Sequence, residues 1–400
     1  MNPTYSTDIV IFGGGITGLW LLNRLRGEGY DPILFETNAI GGTQTIASQG
    51  IIHGGLKYAL SGQITGAAST VADMPSRWRK CLQGKGEVDL IGVKILSNHY
   101  YMWSDGGLRS KLKSFLGSKT LAGKVQPLKK SEYPDFFKLA TVNGSLYRLP
   151  DFVIDTYSLI EKLASDCNDR IFTINEDNLS FVDGEITGRK TLQIKFENKT
   201  LVLNAEKFIF CAGEGNARLI KLASLNSIAS QIRPLHMVYL SKANLPELYA
   251  HCIGNSFSLT PKLTISSHQS RRGDSIWYLG GGIAESGTQR SQDEQITFTR
   301  IMLEELFPWM DFSTANWSSF PINRAEAKIE NGYRPNDAFV ANENNILVTW
   351  PTKLTLTPSL ADKVVDDVKS RSIEISQNVE CRKELQVLLR KPEMIQAFWD

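Results

Sequence analysis

Ile9-Val10-Ile11-Phe12-Gly13-Gly14-Gly15-Ile16-Thr17-Gly18, then a helical stretch, then Pro32-Ile33-Leu34-Phe35-Glu36, decides the fold of this chain. It is a buried strand, a glycine turn, a helix and a second strand closing on an acid. Gly13, Gly15 and Gly18 stand at the spacing G-x-G-x-x-G, in the strand–turn–helix context that gives this pattern its meaning. Gly13 permits the sharp turn, Gly15 lets a pyrophosphate approach the backbone, and Gly18 lets the helix pack close to the strand. The helix start offers unpaired N–H groups and a positive dipole end to phosphates. Glu36 stands where an acid hydrogen-bonds a ribose hydroxyl, which disfavours a phosphorylated ribose such as that of NADP. The motif predicts dinucleotide binding by Gly13, Gly14, Gly15, Ile16, Thr17, Gly18 and Glu36.

The 400 residues are too many for one small core and predict two domains, or one α/β body with an inserted lobe. A formal charge of +2, from 44 basic and 42 acidic residues, gives no global field for nucleic acid or an anionic membrane. Cys81, Cys167, Cys211, Cys252 and Cys381 are scattered, without a C-x-x-C pair or the spacing of a zinc or iron–sulfur site. They fit a reducing compartment, and the first residues carry no basic segment of a signal peptide, so the sequence predicts a cytoplasmic protein. The glycines within Ile9–Leu22 exclude a membrane span there; peripheral membrane contact stays open. No metal site is predicted.

Farther along, Val71–Leu82 predicts a helix, Val93–Trp103 a strand of a second lobe and Leu108–Val125 an exposed excursion. Val153–Leu163 predicts a helix with Asp155 as N-cap. Short strands are predicted at Ile171–Glu176, Leu179–Val182, Leu192–Glu197 and Leu201–Leu203, and a buried parallel-type strand at Lys207–Cys211. Strand signals return at Pro234–Leu240 and Ile276–Gly282. The amphipathic run Asp293–Leu306, the buried run Ile346–Trp350 and helices over Ser359–Arg371 and Val379–Arg390 complete the pattern. Alternating strands and helices at both ends, with strand-rich sequence between, imply a parallel-sheet domain built from separated segments and interrupted by an antiparallel lobe.

Several separated motifs resemble the FAD-dependent oxidoreductases of the D-amino-acid oxidase and glycerol-3-phosphate dehydrogenase superfamily, from about Asp8 to Val365. Ser48-Gln49-Gly50-Ile51-Ile52-His53-Gly54-Gly55-Leu56-Lys57-Tyr58 resembles the segment that runs under the flavin ring in glycerol-3-phosphate dehydrogenases, with Lys57 where that family favours arginine. Phe208-Ile209-Phe210-Cys211-Ala212-Gly213 is similar to the second FAD-contacting strand, Cys211 being a small buried residue of it. Trp350-Pro351-Thr352-Lys353-Leu354-Thr355 resembles the C-terminal flavin motif, with Thr355 and a helix start facing the flavin's pyrimidine oxygens and Lys353 at its reactive edge. Trp317–Arg324 and Asn331–Asp337 stand near the element whose arginine grips the substrate's anionic group, so Arg324 and Arg334 are its candidates. Pro234-Leu235-His236-Met237 resembles the strand whose histidine faces substrate. His99, His251 and His268 are isolated, and Tyr100-Tyr101-Met102-Trp103 is assigned to burial in the second lobe's sheet.

The resemblance implies an α/β fold: a Rossmann-like FAD-binding domain assembled from 1–85, 146–232 and 316–400, with an antiparallel-sheet α+β substrate domain inserted as 86–145 and 233–315. It adds Thr37, Thr43, Thr45, Ser48, Gln49, Gly50, Ala212, Gly213, Lys353, Leu354 and Thr355 to the FAD contacts. It implies an enzyme that oxidises a small anionic substrate at a CH–OH centre, of glycerol 3-phosphate or 2-hydroxy-acid type, by hydride transfer to flavin N5. His53, Lys353, His236, Arg334, Arg324, Lys57 and Tyr58 are the catalytic candidates. Oxidation of an amino acid at CH–NH is the alternative, as is a non-catalytic flavin-binding subunit of an electron-transfer complex. The acceptor is open among oxygen, a quinone and a carrier protein.

Overall fold

The computed structural model describes residues 3–55, 66–104, 125–140, 144–253, 261–329, 335, 337–371, 373 and 379–400. Strand β1 (Thr4–Phe12), helix α1 (Ile16–Gly27) and strand β2 (Ile33–Glu36) form the opening unit. β1 pairs in parallel with β2 on one side and with the strand Thr200–Phe210 on the other. Ile171–Thr173 continues the parallel sheet beyond β2, and Ile346–Trp350 continues it beyond Thr200–Phe210. Continuous burial explains why these runs are apolar nearly throughout: both faces of the sheet are covered. Ile9, Ile11, Leu34, Ile209 and Leu347 enter the helical side, where α1 packs against the helices Thr156–Ser165 and Thr357–Ser370. Val10, Phe12, Phe35, Phe208, Phe210 and Val348 enter the opposite side.

The second large sheet runs Asn316–Ala327, Ser230–Ser241, Ser275–Gly280, Leu263–Gln269, Ala250–Ile253, Tyr100–Ser104, Ser145–Leu149 and Gln126–Pro127. Its neighbours are antiparallel except Ala250–Ile253 with Tyr100–Ser104. One face packs Trp103, Val238, Leu240, Trp277 and Leu279 with Met302 and Leu303 of the helix Gln292–Leu306. The other face turns toward the parallel sheet and carries Met237, Tyr278 and Phe320. A small third sheet joins strand β3 (Ile51–Ile52) to Phe152–Ile154 and Ile95–Ser97.

The structure departs from the sequence reading where pairing overrides local pattern. Phe152–Ile154 is a strand, because its β-branched residues pair with Ile51 and Ile52, and the helix starts only at Thr156. Asp155 caps it, its carboxylate accepting from Ser158 N at 2.7 Å. Leu201–Leu203 and Lys207–Cys211 merge into Thr200–Phe210, since Asn204 and Ala205 between them still pair with Ser6 and Thr7 of β1. Asn316–Ala327 pairs along its whole length with Ser230–Ser241, which carries the antiparallel sheet into the segments 146–232 and 316–400.

Candidate active site

The parallel strands end together. Phe12, Phe35, Cys211 and Trp350 all line a cavity of about 680 Å³ that continues under the antiparallel sheet. This is the crevice outside the carboxyl ends of the strands where open α/β sheets bind their ligands.

At one end the wall is bare backbone. Gly13 takes φ +106°, and a Cβ there would lie 2.7–2.8 Å from the backbone of Ala212 and Cys211. Its N–H donates to Phe35 O at 2.8 Å, which ties the turn to β2. Gly15 caps α1 in extended conformation and lines the cavity with Ile16 and Thr17. Gly18 does not line it. A Cβ on Gly18 would stand 1.9 Å from Gly13 O, so this glycine sets how closely α1 approaches β1. Glu36 also lines the cavity, held by three N–H groups: Gly14 at 2.5 Å, Thr37 at 2.8 Å and Asn38 at 2.9 Å. Thr45 Oγ accepts from Ile16 N at 3.1 Å, capping α1 from the loop. The second turn is fixed by buried Asn216, which accepts from Ala212 N at 2.8 Å and donates to Thr349 O at 3.1 Å. Gly213 follows at φ +57° on the cavity wall, with open space where a Cβ would be.

This cradle fits FAD. Backbone and the small Thr45 hydroxyl are all that stand beside the helix start, and the charged side chains at this end are the acids Glu36, Glu176 and Glu214. A pyrophosphate would be met by N–H groups and the dipole of α1, a ribose by Glu36. Thr37, Thr43, Ser48 and Gln49 line the same wall. Gln49 also ties the loop to the antiparallel sheet, donating to Tyr278 O at 2.9 Å and accepting from Thr264 Oγ at 2.8 Å. Gly14 and Gly50 lie behind the wall. Gly50, at φ +70°, is pressed against Ile154 O, where a Cβ would sit at 2.0 Å.

The other end gathers His53, Lys353 and Arg324, with Leu354 beside Lys353. Thr352 takes φ +60°, and Lys353 N donates to Pro351 O at 2.7 Å in a tight reversal after Ile346–Trp350. Arg324 Nε lies 3.2 Å from Glu326, a fully buried carboxylate that Arg233 approaches at 2.9 Å from the paired strand. Glu285, also on the cavity wall, lies 3.9 Å from Arg324.

Besides Gly14, Gly18 and Gly50, expected at the cofactor but set behind the wall, two further expectations need correction. Thr355 is fully buried behind the wall and gives its hydroxyl to His53 O at 3.1 Å, so it holds the histidine's backbone instead of facing the cavity. His236 does not line the cavity. Successive residues of a strand face opposite sides, so Leu235 and Met237 reach the cavity while His236 points to the helical side. There its Nδ1 meets Gly287 O at 3.0 Å and its Nε2 meets Ser319 Oγ at 3.1 Å. Lys57, Tyr58 and Arg334 lie outside the described residues.

Two cavity residues escaped the sequence reading. His251 lines the wall, its ring 4.5 Å from that of Tyr100. The same strand alternation that misplaced His236 would have found it, because Ala250 and Cys252 enter the opposite core. Asp151 lines the wall and is 2 % exposed; burial pushes its carboxyl up to about 7. The signal was an acid inside the apolar run Leu149–Ile154.

Comparison with known proteins agrees with this geometry. The family described as FAD dependent oxidoreductase matches residues 8–344. A probable FAD-dependent oxidoreductase of Pseudomonas aeruginosa is 40% identical over 401 residues, covering 100% of this chain and 99% of that protein. Its crystal structure superposes with a TM-score of 0.83 at 35% identity, covering 100% of this chain and 99% of the other. The fold is shared with FAD-bound L-α-glycerophosphate oxidase of Mycoplasma pneumoniae, at TM-score 0.66, 16% identity and coverage of 91% and 95%. It is shared too with glycine oxidase of Geobacillus kaustophilus, at TM-score 0.63, 16% identity and coverage of 94% and 100%. A bare-backbone cradle at the carboxyl ends of five parallel strands thus has its explanation: the chain belongs to the FAD-dependent oxidoreductases of the D-amino-acid oxidase family.

Proposed function

We propose that the enzyme oxidises a small anionic substrate at a CH–OH centre, of glycerol 3-phosphate or 2-hydroxy-acid type. The observation that supports this reading is the set of basic groups beyond the dinucleotide end of the cavity: Lys353, Arg324, His53 and His251 line its wall. FAD, when bound, supplies the two-electron oxidant. Arg324 and Lys353 hold the anionic group, and an imidazole of His53 accepts the hydroxyl proton. Leu235, Met237 and Ile322 exclude water from that end. Lys57 and Arg334 join the anion-binding set by the resemblance of their segments.

A second reading is favoured by the two acids at the same end. Asp151 and Glu285 would meet the ammonium of an amino acid, and oxidation would then fall at CH–NH. Anaerobic bleaching of the flavin absorbance separates the two. Bleaching by glycerol 3-phosphate or a 2-hydroxy acid supports the first reading, and bleaching only by glycine or D-amino acids supports the second. Flavin that neither class reduces would overturn both and favour a non-catalytic subunit.

All five cysteines are buried and none forms a disulfide among the described residues, which supports a cytoplasmic setting. Among the described residues no helix is long and apolar enough to cross a membrane.

A further inference from the structure

We propose that Asp151 is a positioning residue of this site: its carboxylate fixes the His53–Gly54 backbone on the cavity wall, and its ionisation is reported by the bound flavin. The inference rests on the reading that His53 belongs to the reacting end of the FAD cavity.

The chain leaves the antiparallel sheet at Leu149 and enters the small third sheet at Phe152, so Asp151 sits in the crossing between the two. Ile51 pairs with Val153 and Ile52 with Phe152. The next step of that antiparallel register sets His53 opposite Asp151, and there the ladder stops. The Asp151 side chain takes over, with Oδ1 accepting from Gly54 N at 2.9 Å. On the carbonyl side of the same peptide, Thr355 Oγ donates to His53 O at 3.1 Å. The single His53–Gly54 peptide is therefore gripped at both its N–H and its C=O, by side chains distant in sequence.

If the only need were an acceptor for Gly54 N–H, a neutral amide would serve without the cost of a buried charge. Instead the site keeps an ionisable carboxyl on the cavity wall, pushed up by burial and held down only by that Gly54 hydrogen bond. The ionisable groups on the surrounding described elements are few. His53 lies on the gripped segment, and Lys353 on the loop after Ile346–Trp350. Tyr100 donates to Ile265 O at 2.9 Å, with the His251 ring against it. Arg79 lies over the Phe152 ring, 4.1 Å from its centroid. None of these forms an ion pair with Asp151 among the described residues, and the acid is desolvated on the cavity wall, so a ligand bound there changes what surrounds its carboxyl.

The test uses the FAD-loaded protein as wild type, Asp151→Asn and Asp151→Ala, and reads the flavin absorption spectrum against pH together with the FAD dissociation constant. Wild type should show a spectral transition near neutral pH. Asp151→Asn, which keeps an acceptor oxygen for Gly54, should hold FAD with unchanged affinity and lose that transition. Asp151→Ala should weaken FAD about tenfold, the equivalent of one ordinary hydrogen bond. A neutral transition that survives in Asp151→Asn, or is absent from wild type, would overturn the proposal. So would Asp151→Ala with wild-type affinity and spectrum. If Asp151→Ala does not fold, Asp151→Asn alone decides. Failure of the underlying reading would look different: His53→Ala would then leave both the flavin spectrum and its reduction by substrate untouched.

Discussion

Gly18→Ala is the most direct perturbation of the dinucleotide cradle. The added methyl carbon would lie 1.9 Å from Gly13 O, against a normal carbon–oxygen approach of about 3.3 Å. The gap has to be opened by more than an ångström, and the atom in the way is a backbone carbonyl that no rotamer change can move. Helix α1 cannot slide outward freely, because Leu19, Trp20, Leu21 and Leu22 on it are all 0% exposed. Alanine favours a helix interior by about 0.5–1 kcal/mol over glycine. Overpacking of a filled core costs about 1–3 kcal/mol, and a backbone clash belongs at the upper end. The net expectation is a loss of about 2 kcal/mol. Gly27 closes the same helix with nothing within 4 Å of an added Cβ, so Gly27→Ala should gain the propensity term and lose nothing. Denaturant unfolding of the apo-proteins gives both values without the stabilisation that bound FAD adds. Flavin-fluorescence titration then asks whether the displaced turn also weakens FAD, at tenfold for each 1.4 kcal/mol or so. Gly18→Ala with wild-type stability and FAD affinity would refute this account of the close approach.

Lys353→Met should leave FAD bound and lower turnover by about a hundredfold or more, the scale of losing one charge aimed at the reacting group; stopped-flow reduction of the flavin measures it, and wild-type rates would return Lys353 to a structural role. His236→Phe should leave flavin reduction unchanged and cost about 1–3 kcal/mol of stability, since Gly287 O and Ser319 Oγ lose their partner. A collapse of turnover in that variant with FAD still bound would mean that His236 reaches the reaction. Asp151 also predicts a pH dependence of stability. Its carboxyl is raised from 3.8 to about 7 in the fold, so the folded state holds the proton longer than the unfolded chain. Stability is fully present below about pH 4 and is lost as pH rises to about 7, by about 4 kcal/mol for a shift of this size. Asp151→Asn should remove that contribution, leaving the smaller one in the same direction from Asp8, raised by burial to about 6, and the opposing one from His268, lowered by burial to about 3. A slope of equal size in wild type and variant would show that Asp151 does not titrate in this range.

The parts of this molecule that were legible in its sequence are those whose physics is local. The strand–turn–helix at Ile9–Glu36 declares itself because its glycines, apolar runs and closing acid all act on neighbours in the chain. Ile346–Trp350 was equally clear, a short run rich in apolar and β-branched residues between a turn and a proline. Candidates on the antiparallel sheet were harder. His236 was placed in the site from the likeness of its strand, yet one step of register decides whether a side chain meets the cavity or the helix behind it. His251, passed over as isolated, stands on the cavity wall for that same reason. Thr355 was assigned to the flavin from its motif, and only the return of the chain at His53 shows what its hydroxyl holds.

The walls of the cavity come from two sheets, so its shape depends on whatever keeps those sheets in register. The ties converge on the loop between β2 and β3. Gln49 is bound to Tyr278 and Thr264, and Tyr278 gives its hydroxyl back to Ala47 O at 2.8 Å. Gln44 accepts from Ala325 N at 3.1 Å, one residue beyond Arg324. Ile40 exchanges backbone bonds with Glu393 and Ile395, and a few residues later Phe398 stacks on Phe320 at 3.8 Å while Trp399 packs against Tyr239, His268 and Tyr278. The loop whose Thr43, Thr45 and Ser48 line the dinucleotide end is therefore also the part that fixes the antiparallel wall. The two walls of the cavity are thus joined through a handful of polar contacts and one aromatic cluster, all centred on this loop and the C-terminal residues packed beside it.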